Sequence, residues 1–205
     1  GEKKAADFVD TVIAAYGELL RKCGEQGIRL VQFDEPSLVQ DMKPEDIAFF
    51  EKIYRKVLAE ATQTKVLLQT YFGDVRDVYQ KLTELPFAGI GLDFIEGRQT
   101  AALIEKYGFP KDKVLFAGVV NGKNIWKNHY EKTLGILKEL QGKGIQTVVS
   151  TSCSLLHVPY TLRHEKRLAQ EYTAYFSFAE EKLKELKDLG TLADCGELEK
   201  EAAYV

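Results

Sequence analysis

Five short apolar segments rich in β-branched residues alternate with helix-period segments along the 205 residues, which predicts an α/β fold of about five parallel strands with flanking helices. Successive strand–helix–strand units join parallel strands by right-handed crossovers. Polar residues also gather where several strands stop, the end at which parallel α/β proteins carry their sites. Those ends read Phe33-Asp34-Glu35-Pro36, Leu92-Asp93-Phe94, Val120-Asn121-Gly122-Lys123 and Ser150-Thr151-Ser152-Cys153.

The first element is a helix from Ala6 to Lys22, with Val9, Val12, Ile13, Tyr16, Leu19 and Leu20 at spacings of three and four and Gly24 and Gly27 ending the pattern. Ile28 to Phe33 follows as a strand. Pro44 suits the first turn of the second helix, where its missing N–H costs nothing, and Ile47, Phe50, Tyr54, Val57 and Leu58 share one face. Lys65 to Tyr71 is the next strand, and a short helix spans about Val75 to Leu82 before Pro86.

Ala88 to Asp93 is a strand whose glycines admit close backbone approach, and Thr100 to Tyr107 is a helix stopped by Gly108 and Pro110. Val114 to Val119 and Gln146 to Ser150 are the last strands, with a helix from about Ile125 to Leu140 between them. A final helix from about Arg163 to Leu186 carries a core stripe of Leu168, Tyr172, Tyr175, Phe176, Ala179, Leu183 and Leu186. Thr191 to Val205 has little periodicity and reads as a disordered or weakly helical tail.

Five strands do not close a barrel that takes eight, so the pattern alone leaves an open five-stranded domain and a partial barrel in competition. Either way, two sheet edges stay unpaired and predict self-association. A chain that opens on a helix, with no strand before it, reads as a cut made inside a domain.

Composition narrows the function. With 28 basic and 31 acidic residues the net charge is −3, and the basic residues are spread along the chain, so nucleic acid is not an expected partner. No apolar run approaches the roughly 18 residues of a membrane span, and Gly1-Glu2-Lys3-Lys4 leads into an amphipathic helix, so neither membrane insertion nor export is expected. Cys23, Cys153 and Cys195 are widely separated, show no metal-ligand spacing, and fit a reducing, cytoplasmic setting.

The segments Val31-Gln32-Phe33-Asp34-Glu35-Pro36-Ser37-Leu38-Val39, Gly89-Ile90-Gly91-Leu92-Asp93-Phe94-Ile95-Glu96-Gly97, Leu115 to Trp126 and Ser150 to Pro159, supported by Leu68-Gln69-Thr70-Tyr71-Phe72, resemble the N-terminal domain of cobalamin-independent methionine synthase. The resemblance covers about Ala6 to Leu189. It implies an incomplete (β/α)8 TIM-type barrel over residues 1–190, the later part of the first of two barrels, with 191–205 as the tail. It also implies a parent methyltransferase that moves a methyl group from a folate polyglutamate to homocysteine, this piece supporting the catalytic barrel and the folate cleft. The zinc, its ligands and the catalytic histidine belong to the C-terminal barrel, so the resemblance implies no cofactor, no metal ligand, no catalytic residue and no activity here. The implied partner is the missing remainder of the parent chain. A non-catalytic, stand-alone α/β binding or scaffold protein is the alternative.

The candidate strand-end pocket consists of Asp34, Glu35, Asp93, Asn121, Ser152, Cys153 and His157. Pro36 biases Glu35 toward extended backbone and aims its carboxylate, although capping and loop hydrogen bonds are the simpler account of Asp34 and Glu35. Asp93 ends the middle strand, where it is placed to orient a neighbour across the mouth. Asn121, Lys123 and Asn124 form a polar loop suited to an anion. His157 follows Cys153 by four residues, but two ligands do not complete a zinc site. A hydrogen-bonded histidine and a buried cysteine are the simpler reading. Trp126, the single tryptophan, suits either a stacked pterin ring or packing of its loop against its own helix. His129 and His164 fall on polar helix faces.

Overall fold

A computed structural model describes residues 8–193. Its elements run α1 (Val9–Glu25), β1 (Leu30–Asp34), α2 (Pro44–Ala59), β2 (Lys65–Gln69), α3 (Tyr79–Glu84), β3 (Gly89–Asp93), α4 (Thr100–Tyr107), β4 (Val114–Val120), α5 (Tyr130–Gly142), β5 (Thr147–Thr151), α6 (Gln170–Thr173) and α7 (Ala179–Ala193). Short 3-10 turns lie at Pro36–Val39, Leu155–His157 and Leu162–His164. All five strands form one parallel sheet in sequential order, β1 to β5.

Strand alternation divides the sheet into two faces. One face packs under the helices through Val66, Leu68, Ile90, Leu92, Leu115 and Ala117, each almost fully buried. Each of the valine, leucine and isoleucine side chains among them contributes roughly 1.5–3 kcal/mol relative to exposure. The other face carries Gln32, Asp34, Leu67, Gln69, Gly89, Gly91, Asp93, Phe116 and Gly118, and the register sets Asp34, Gln69, Gly91 and Phe116 level. A Cβ on Gly91 would lie 1.9 Å from Gln69 Oε1, and one on Gly89 2.9 Å from Phe116 Cε2. Glycine at these two positions therefore lets two large side chains fold across the inner face. The sheet is curled toward this face: residues of β1 and β5, its two edge strands among the described residues, line one cavity. This is the geometry of an incomplete barrel.

Several helices begin later than their periodicity suggests. The loop before α5 is held by asparagine side chains: Asn121 Oδ1 accepts from the N–H groups of Lys123 (2.8 Å) and Asn124 (3.0 Å), and Asn124 Oδ1 from Trp126 N–H (3.2 Å). Such local bonds compete with helix formation, so α5 starts at Tyr130, with His129 Nδ1 accepting from Lys132 N–H. Before α3, the carboxylates of Asp74 and Asp77 accept from the N–H groups of Gln99 and Met42 and pin the loop to its neighbours.

The expected helix from Arg163 to Leu186 is instead broken. Ser177 N–H donates to Ile125 O at 2.7 Å, Lys127 N–H donates to Tyr175 O at 2.9 Å, and Trp126 and Phe176 form an antiparallel bridge. This pairing with the loop after β4 draws the segment out of helix. Leu168, Tyr172, Tyr175 and Leu183 of the expected core stripe are exposed. Thr191 to Ala193, assigned to the tail, continue α7, and the remainder of that tail, with Cys195, lies outside the described residues.

Candidate functional site

The alternation of β1 separates the two neighbouring carboxylates of Asp34 and Glu35. Asp34 turns to the inner face, where its Oδ1 accepts from Gln32 Nε2 at 2.8 Å. Glu35 accepts from Ser37 Oγ at 2.5 Å and from Tyr54 Oη at 2.8 Å. Burial, reinforced by the Glu35 charge, pushes the Tyr54 phenol well above its ordinary range.

Asp34 lines a cavity of about 230 Å³ with Gln32 from β1, Gln69 and Tyr71 from the end of β2, and Ser150, Thr151, Cys153 and Ser154 from the end of β5. Three of its donors are used within the wall: Gln69 Nε2 on Thr70 O, the Ser150 hydroxyl on Thr151 O, and the Cys153 thiol on Ser154 O. Burial raises the pKa of the Cys153 thiol, which keeps it protonated and uncharged. The Tyr71 phenol is raised as well, first by desolvation and then by the nearby Asp34.

The other predicted residues have different surroundings. Asp93 is buried and serves the backbone: Oδ1 accepts from the N–H groups of Ile95 (2.7 Å) and Glu96 (2.9 Å), and Oδ2 from Phe72 N–H (3.0 Å). Desolvation lifts its pKa against these three donors, with a net upward shift. Asn121 is spent on its own loop, and Ser152 Oγ accepts from Gly122 N–H at 3.2 Å, tying the loops after β4 and β5 together. His157 packs on Phe72 with ring centroids 5.4 Å apart.

Those loops also build a rim. Phe72 is the only non-glycine residue described with a positive φ, 72°. Its ring lies 4.8 Å from Lys123 Nζ, which pairs with Glu96 at 2.7 Å. Trp126 is 56% exposed and contacts Phe176, ring centroids 5.3 Å apart. Among the described residues no group of three or more His, Cys, Asp or Glu side chains is placed to hold a metal ion.

The structure thus brings Asp34 and Cys153 to one cavity and gives Glu35, Asp93, Asn121, Ser152 and His157 other partners. Gln32, Gln69, Tyr71, Ser150, Thr151 and Ser154 complete that cavity without having been singled out from the sequence. For Gln32 the signal was present, since residues two apart on a strand share a face and Asp34 was already marked.

A second, larger groove of about 850 Å³ runs along the open edge of β1. Val12, Tyr16 and Leu19 of α1, Phe49 and Ile53 of α2, and Val31 and Phe33 of β1 supply its apolar wall, and Glu35, Asp41 and Asp46 its acidic border. No helix among the described residues is long and apolar enough to cross a membrane.

A family model described as the cobalamin-independent synthase N-terminal domain matches residues 1–144. Curated relatives from Campylobacter jejuni and Streptococcus suis, both named 5-methyltetrahydropteroyltriglutamate–homocysteine methyltransferase, are each 50% identical over 188 residues, 92% of this chain and 25% of theirs. One from Streptococcus sanguinis is 49% identical over 97% of this chain and 26% of its own. The chain therefore spans about a quarter of the length of the curated relatives it matches. A crystal structure described as a putative vitamin-B12-independent methionine synthase from Listeria monocytogenes shares the fold, with a TM-score of 0.63 and 20% identity over 95% of this chain and 57% of that one.

Proposed function

The chain belongs to the cobalamin-independent methionine synthase family by its N-terminal domain, and on that premise we propose that it contributes part of the first barrel of a methyltransferase. The parent reaction would carry a methyl group from 5-methyltetrahydropteroyltriglutamate to homocysteine, the two compounds in the names of the relatives. The observation that carries this reading is 50% identity over 92% of the chain. The five-stranded, curled sheet supports it, because an arc of a barrel is what such a share of sequence would fold into.

In this reading the described residues supply shape and support, not the reacting groups. The fold family implies zinc, but residues 8–193 offer no ligand set that fits it. The edges of β1 and β5 and the groove beside β1 are the surfaces that the remainder of the parent chain would cover. A parallel sheet keeps its faces and edges buried, and an open edge is a template for another strand. Held apart from that remainder, the chain would cover the same surface by self-association.

The reading is tested by measuring methyl transfer from the triglutamate donor to homocysteine with this chain alone and with it joined to the remaining sequence of a relative. The chain alone is expected to be inactive and the joined protein active. Turnover by the chain alone, or an inactive but folded joined protein, would overturn it. Light scattering of the isolated chain is expected to show dimers or larger species.

A further inference from the structure

The cavity shared by the two sheet edges has one carboxylate, several polar oxygens and no lysine or arginine in its wall, and we propose that it binds a small primary ammonium compound with Asp34 as counter-ion.

The chemistry follows from which groups the wall leaves free. The amide nitrogen of Gln69, the Ser150 hydroxyl proton and the Cys153 thiol proton are all directed to neighbouring carbonyls. An anion entering here would face the Asp34 carboxylate with no lysine or arginine in the wall to offset it. An ammonium group brings three donors of its own, and charge-assisted bonds to a carboxylate are the strong ones. Asp34 is available for this: its side chain bonds Gln32 Nε2, and no lysine or arginine among the described residues forms an ion pair with it. Lys123, on the rim, is held by Glu96 and lies over the Phe72 ring.

Size and placement agree. About 230 Å³ is below the roughly 300–1,000 Å³ usual for drug-sized ligands, so the occupant is a small molecule. The cavity lies at the strand C-termini, where parallel α/β sheets bind ligands, and Tyr71 Oη and the Thr151 hydroxyl stand ready for a second polar group on the ligand. The burial of Cys153 keeps its thiol neutral, so Asp34 sets the charge of the wall. This inference rests on the cavity alone and stands or falls independently of the methyltransferase reading.

The test is an NMR titration of the isotope-labelled 205-residue chain with ethanolamine, and with glycolate and ethylene glycol as its anionic and neutral counterparts. Saturable shifts at the amides of Tyr71, Thr151 and Ser154 are expected with ethanolamine and not with the other two. Asp34→Asn should weaken ethanolamine binding about tenfold or more, as the loss of a charge-assisted bond implies, whereas Glu35→Gln, whose side chain lies outside the cavity, should not. Raised salt should weaken binding to the unaltered chain, a readout that needs no variant to fold. No saturable response to ethanolamine, an equal response to glycolate, or undiminished binding by Asp34→Asn would overturn the proposal.

Discussion

Phe72 holds a left-handed backbone conformation, φ 72°, while its N–H donates to Asp93 Oδ2 at 3.0 Å. A buried carboxylate at the end of β3 thus stabilises a strained turn after β2, and the turn in turn sets the Phe72 ring between Lys123 and His157. Left-handed geometry costs an L-residue roughly 1–2 kcal/mol and glycine almost nothing.

Comparison of Phe72→Gly with Phe72→Ala isolates that strain, because both remove the ring and only one relieves the backbone. The glycine variant is expected to be more stable than the alanine variant by about 1 kcal/mol in urea unfolding, against the usual cost of glycine entropy. The opposite order would show that the turn carries no strain.

Asp93 should give the pH profile an unusual sign. Its folded pKa is raised by desolvation, so the folded state takes up a proton at higher pH than the unfolded chain, whose Asp titrates near about 3.9. Its titration therefore adds stability that is fully present below the unfolded pKa and is lost as pH rises through the folded one. Unfolding free energies of the parent and Asp93→Asn, measured from neutral pH down to about 3, should show the parent gaining on the variant as the pH falls. A parent that loses ground instead would refute the upward shift.

Gly91 and Gln69 should behave as one unit. A Cβ at position 91 would lie 1.9 Å from Gln69 Oε1, so Gly91→Ala should destabilise by about 1–3 kcal/mol, the range of overpacking. Adding Gln69→Ala removes the obstructing amide and should recover part of that loss. A double-mutant cycle in urea with a coupling near zero would contradict the contact.

Lys182 on α7 is fully buried, and its Nζ donates to Trp126 O at 3.1 Å. Burial pulls its pKa down, with the Glu185 charge opposing. Glu185 Oε1 accepts from Asn128 N–H at 3.0 Å, and its Oε2 has no hydrogen-bond partner. Lys182→Met should thus cost about 1–3 kcal/mol, because it removes the buried donor to Trp126 O and the positive charge near Glu185, and Lys182→Met with Glu185→Gln should recover part of it. Thermal melts of the two variants that coincide would show that the charges act separately.

The strands were legible in the sequence because a parallel strand is buried on both faces, and a run such as Val114 to Val119 therefore shows as nearly unbroken apolar residues between turn signals. The polarity of the strands was legible too, which placed Asp34 and Cys153 at one end of the sheet before any geometry was available. Local patterning could not reveal the extended pairing of Tyr175 to Ser177 with the loop at Ile125 to Lys127, because apolar spacing in that segment suits a helix and the pairing partner lies some fifty residues away. Nor could it distinguish Asp93, which three backbone N–H groups occupy, from Asp34, which faces an open cavity: both are aspartates ending a strand. That difference arises from the curl of the sheet, which brings β1 opposite β5 and sets Asp93 behind the turn of Phe72, and curl depends on how every strand packs against every helix at once.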